Sequence, residues 1–104
     1  MKLTLVLALS LLCASFGGAF AEEKRTIGCI IGAPDAPFFK MVEDGLRAEC
    51  EANGWELMVG YGQNEKILEH GRFFISQEVD AIVNFGCTTN TGVTLVEEAG
   101  LEGI

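Results

Sequence analysis

Thr26-Ile27-Gly28-Cys29-Ile30-Ile31-Gly32, followed by Ala33-Pro34-Asp35-Ala36-Pro37, is the stretch on which the reading of the fold turns. The first seven residues are short, β-branched and apolar at both phases of a two-residue period. A strand covered on both faces has this pattern. The prolines then stop it, because each fixes φ and restricts the residue before it. From Pro37 the period lengthens. Phe38, Met41, Gly45, Ala48 and Ala52 form one apolar stripe, with Phe39, Val42, Leu46 and Cys50 beside it, while Lys40, Glu43, Asp44, Arg47 and Glu51 take the wet side. This is a broad amphipathic helix. Pro37 suits its first position and Asn53-Gly54 its left-handed stop. Gly45, on the apolar stripe, is expected to approach the sheet closely.

The same alternation repeats towards the C-terminus. Trp55-Glu56-Leu57-Met58-Val59-Gly60-Tyr61 reads as a second strand, ended by Gly62-Gln63-Asn64. Asn64 is placed to cap a second helix running to about Gln77, with Ile67, Leu68, Gly71, Phe74 and Ile75 on its inner face. Asp80 to Phe85 reads as a third strand, and a third helix is expected from about Thr91 to Ala99, stopped by Gly100. Leu101 to Ile104 is then a loop. Strand starts near 26, 55 and 80 fit right-handed crossovers in a parallel sheet. The expected fold is α/β: a three-layer αβα arrangement with a parallel sheet and βαβαβα order, its helices on both faces.

Before this domain, residues 1–21 have the features of a signal peptide: Lys2, an apolar run from Leu3 to Leu12, and Ala19-Phe20-Ala21 ahead of Glu22. The run is short for a bilayer span. Cleavage would leave 83 of the 104 residues as a single domain, 22–104. Losing Lys2 moves the formal charge from −8 to −9. A body this acidic lacks the basic face that nucleic acid requires, so no nucleic-acid partner is expected. Three cysteines remain outside the leader, an odd number that implies no complete disulfide framework.

In open α/β sheets ligands gather beyond the C-terminal ends of the strands. The loops there bring Phe38 and Phe39 as an aromatic wall and Asn64, Thr89 and Asn90 as neutral polar partners, a combination suited to a polyhydroxylated ligand. Catalytic readings are weaker. His70 falls mid-helix, where a solvated position is expected. Cys87 has no Cys-x-x-Cys partner and no histidine near it in sequence, so neither a metal nor another cofactor is implied. Glu97-Glu98 reads as a wet acidic face. A dinucleotide site would need closely spaced glycines, where the chain has Gly32 and then two prolines. The chain is read as a binding protein and not as an enzyme.

Taken in order, Thr26-Ile27-Gly28, Ala36-Pro37-Phe38-Phe39, Gly54-Trp55-Glu56-Leu57, Gln63-Asn64, Val79-Asp80-Ala81-Ile82 and Glu98-Ala99-Gly100-Leu101 resemble the N-terminal portion of periplasmic sugar-binding proteins of the ribose/galactose-binding class, which serve ABC importers. The resemblance implies the first half of the N-terminal lobe of a type I periplasmic binding protein fold, in proteins whose two lobes close on one ligand. It implies export to the periplasm, a sugar-like ligand and a membrane permease as partner. It also implies stacking roles for Phe38 and Phe39 and an amide contact from Asn64. The pattern departs at Ala36, where the family has an asparagine, and at Thr89, where it has an aspartate. Both changes remove groups that grip sugar hydroxyls, which puts ribose itself in doubt. A ligand-sensing receptor module of the same fold and an exported enzyme are the alternatives.

Overall fold

A computed structural model of the chain describes residues 24–86 and 89–104; the expected leader, Cys87 and Thr88 lie outside them. Six elements alternate in the described part: β1 (Thr26–Ile31), α1 (Pro37–Asn53), β2 (Glu56–Tyr61), α2 (Glu65–Ser76), β3 (Ala81–Phe85) and α3 (Thr89–Leu101). The strands form one parallel sheet in the order β2-β1-β3. This is a small α/β domain with the alternating topology expected from the sequence.

Strand β1 is central, and its side chains serve two interiors. Gly28 and Ile30 face α2. Ile30 joins Ile67, Phe74, Val79 and Leu95 in one buried cluster, with Met58, Leu68, Ile75, Ile82 and Ile104 packed around it. Ile27, Cys29 and Ile31 point the other way and are also buried. On that face Cys29 meets the electrostatic influence of Glu43, Arg47 and Cys50, all from α1. The period-two apolar pattern of β1 is therefore satisfied by helices on both sides.

Close approaches at glycines set the α2 layer. A Cβ on Gly28 would come within 2.6 Å of the Phe74 ring, so the glycine is what lets that ring lie flat against the strand. Gly60 similarly accommodates His70. The expectation of a solvated His70 is corrected: the ring is half-buried over Gly60, and its Nε2 lies 3.0 Å from the Tyr61 carbonyl oxygen. The absence of a Cβ at Gly60 leaves room for the ring against β2, which the helical period alone does not signal. Glu98 also departs from a purely wet role. Arg72 on α2 donates to both its oxygens, at 2.9 and 2.7 Å, and ties α3 to α2. That hydrogen bonding holds the Glu98 carboxyl below its ordinary range.

Helix α1 sits differently from expectation. Phe39, Val42, Leu46 and Cys50 are its inner residues, while Phe38, Met41, Gly45, Ala48 and Ala52 are exposed. Gly45 has nothing near the position of a Cβ, so it makes no close approach. Both sets have helical spacing, and the sequence alone did not say which one meets the sheet. The pairs Lys40–Asp44 (3.3 Å) and Glu43–Arg47 (3.1 Å) form on the surface as their spacing requires. Gly54 ends the helix at φ 70°, with the Trp55 N–H reaching back to the Cys50 carbonyl at 2.8 Å.

The C-terminal segment is also corrected. Helix α3 starts at Thr89, ahead of Thr91, and runs through Gly100 to Leu101. Gly103, at φ 76°, then turns the chain so that the Ile104 N–H donates to the Ala99 carbonyl at 2.9 Å. Ile104 folds back onto the core instead of leaving as a loop. The hydrophobic side chain after the turn decided this, a contact that commonly accompanies such helix ends.

Replacing Gly28 with alanine is expected to destabilise the domain by about 1–3 kcal/mol, because the Phe74 ring must move out of a packed position. Urea denaturation checks this. Phe74→Leu in the Gly28→Ala background should cost less than it does in the parent chain.

Candidate functional site

Ile31 pairs in register with both Tyr61 and Phe85, so the three parallel strands end level. The following loops are held to each other by backbone groups around Gly32. Its N–H donates to the Phe85 carbonyl at 3.0 Å, and the Gly62 N–H donates to the Ile31 carbonyl at 2.9 Å. The Gln63 side chain closes the set by donating through Nε2 to the Gly32 carbonyl at 3.1 Å. At β3 the Asn84 Oδ1 accepts the Gly86 N–H at 2.8 Å. A Cβ on Gly32 would come within 3.0–3.2 Å of backbone atoms of Phe85 and Gly86, so a larger residue would need this backbone crossing to give by a few tenths of an ångström.

All five residues singled out from the sequence follow these strand ends. Phe38 and Phe39 open α1 as an edge-to-face pair, with centroids 5.4 Å apart and planes at 78°. Phe39 is half-buried and supports Phe38, which is 63% exposed and offers a ring to the solvent. Such pairing fixes ring orientation beyond what burial alone would do. Asn64 is exposed and precedes α2, but its side chain makes no cap hydrogen bond, and its backbone takes φ 55°. The expected side-chain cap is therefore absent; the backbone pairs a positive φ with ψ −121°, outside the left-handed helical region. Thr89 and Asn90, expected in a loop, form the exposed first turn of α3. The parallel topology places these residues along one rim. Thr89 lines an open groove of about 530 Å³ with Asn84, Gly92, Val93, Val96 and Glu97.

Beside the rim, the Tyr61 hydroxyl faces Glu43 and Arg47 of α1. Hydrogen bonding to the Glu43 carboxylate and partial burial together push the tyrosine above its ordinary value, against a smaller opposing pull from Arg47. This contact lies between α1 and the end of β2. It was not visible in the sequence because Glu43 belongs to the charged side of the helical period. Gln63 was likewise passed over as a turn residue; its reach to Gly32 needs the register of two strands, which no local signal carries.

Among the described residues no cluster of three or more His, Cys, Asp and Glu side chains is arranged to hold a metal. None of the described helices is long and apolar enough to cross a membrane. Cys29 and Cys50 are buried free thiols. Burial first, then the nearby Glu43 and Cys50, push the Cys29 thiol up to about 11. Scans of the chain against known protein-family models and against curated proteins find no match.

The raised Cys29 value has two measurable consequences. Against an ordinary value of 9.0, it leaves about 100-fold less thiolate at neutral pH, so alkylation of Cys29 by iodoacetamide should lag that of the urea-unfolded chain by at least that factor, read by mass spectrometry. The stability this group contributes is fully present below 9.0 and is lost as pH rises towards about 11, because the unfolded chain releases the proton first. Urea midpoints for the parent and Cys29→Ala should therefore converge across that interval.

Proposed function

We propose that the chain is the ligand-binding N-terminal portion of an exported solute-binding protein, and that its ligand is a sugar or a sugar-like molecule. The observation that carries this reading is the level ending of three parallel strands, followed by segments that carry an edge-to-face aromatic pair and neutral amide and hydroxyl groups. Phe38 supplies a face for the apolar side of a sugar ring, with Phe39 setting its angle. Asn64, Thr89 and Asn90 supply hydrogen bonds without charge. Asp35, in the turn before α1, is the one acid of the first loop. No bond is made or broken in this role. Binding shifts an equilibrium between open and closed forms, and the closed form is what a transport partner recognises. The resemblance to periplasmic sugar-binding proteins supports the same reading. It adds the permease of an ABC importer as the partner, the periplasm as the location, and a type I binding-protein lobe as the wider fold.

The test is a titration of the isotope-labelled chain with pentoses and hexoses, followed through backbone amide shifts. The expected result is weak binding, with dissociation constants well above the micromolar range, and shifts confined to residues around Phe38, Phe39, Asn64, Thr89 and Asn90. Phe38→Ala should abolish those shifts with little effect on folding, since the ring is mostly exposed. Shifts elsewhere, or none at millimolar sugar, would overturn the proposal.

A further inference from the structure

We propose that Gln63 is a positioning residue for the ligand site: its side-chain amide sets the spacing between the aromatic and the amide parts of the rim without itself meeting the ligand. The inference rests on the sugar-binding reading above. Two segments carry those parts. One runs from Gly32 through Pro34 and Pro37 to Phe38, and the other leads through Gln63 and Asn64 into α2. The ladder between β1 and β2 ends at the row of Ile31 and Tyr61, where the Gly62 N–H meets the Ile31 carbonyl at 2.9 Å. Past that row the Gln63 Nε2 donates to the Gly32 carbonyl at 3.1 Å, across 31 positions of sequence.

Each end of this bond is stiffly joined to a binding side chain. Pro34 and Pro37 both fix φ, and the Ala36 N–H closes a turn on the Ala33 carbonyl at 3.0 Å, so the arm from Gly32 to Phe38 moves as a unit. The edge contact with Phe39 then sets the Phe38 ring. On the other side, the Gln63 carbonyl accepts the Lys66 N–H and the Asn64 carbonyl accepts the Ile67 N–H, both at 3.1 Å, which seats these two residues on the start of α2. Gly32 is buried, whereas Gln63 is exposed apart from its reach inward. A buried carbonyl that loses its donor stays unpaired unless the arm moves to wet it. The requirement is for a donor and not for a shape. Glutamate has the outline of glutamine, but when ionised it offers acceptors alone and repels the carbonyl.

Titrations of the isotope-labelled chain with D-ribose and D-glucose, run on the parent and on Gln63→Glu, Gln63→Met and Gln63→Lys, test the proposal. Amide-nitrogen relaxation at Ala33, Asp35 and Ala36 in the sugar-free chains is the second readout. Gln63→Glu should weaken binding by about threefold or more and loosen the arm, since it loses the donor and gains a repulsion. Gln63→Met, with no donor, should do both to a smaller degree. Gln63→Lys, whose ammonium still reaches the carbonyl, should stay near the parent in both. Thermal melts should change little in all three variants, because the side chain lies outside the buried cluster. Parent-like behaviour of Gln63→Glu in either readout overturns the proposal. So does a loss of binding in Gln63→Lys equal to that in Gln63→Glu, the mark of an amide that meets the ligand directly. A parent chain that shifts with neither sugar overturns the reading beneath, and this inference with it, whatever the relaxation shows.

Discussion

Strand β1 is hydrogen-bonded along both edges and buried on both faces; β2, β3 and α2 are positioned by what they make with that strand, and α3 packs on α2. One tight contact is the Phe74 ring lying on Gly28. It fixes how near α2 can come to the sheet, and Ile67 and Leu95 complete the same cluster. At the start of the strand, the Thr26 N–H donates to Asp80 Oδ2 and the Asp80 N–H donates to the Thr26 carbonyl, both at 2.8 Å. This exchange sets the entry of β3. At the far end, the level pairing of Ile31 with Tyr61 and Phe85 lets three loops emerge side by side. The geometry of the rim is thus inherited from a strand that contributes no side chain to it.

Much of this was legible in the sequence, because β1 and α2 carry strong periodic signals. A strand apolar at both phases needs cover on both sides, and the inner residues Ile67, Gly71 and Phe74 follow a single helical stripe. Alternation of the two periods gave element order and parallel pairing. The signal failed where two apolar stripes competed. In α1 both stripes have the right spacing, and the one that meets the sheet is Phe39, Val42, Leu46 and Cys50, on the side of the buried Ile27, Cys29 and Ile31, a packing between residues far apart in the chain. The last turn failed for a different reason. Gly100 has no need of a left-handed conformation inside a helix that continues, whereas Gly103 takes one and lets Ile104 reach the core.

The candidate site was legible as a location more than as a set of contacts. Strand ends in a parallel sheet locate a rim from element order alone. What each side chain does there depends on neighbours that local sequence does not specify. Asn64 looked like a cap and instead supplies a backbone conformation. Thr89 and Asn90 looked like loop residues and open a helix. Gln63, with no distinguishing local pattern, holds two loops together.

The tethers around Gly32 separate shape from chemistry. Two of the three bonds run between main-chain groups, so the relative placement of the loops depends little on which side chains occupy positions 36, 64 and 89. Those positions can change identity while the scaffold beneath them stays fixed. An alanine at 36 and a threonine at 89 alter what the rim can hold without altering where the rim is. Under the sugar-binding role proposed above, a frame of this sort permits recognition to drift from one small molecule to another by single replacements, with no need to rebuild the fold each time.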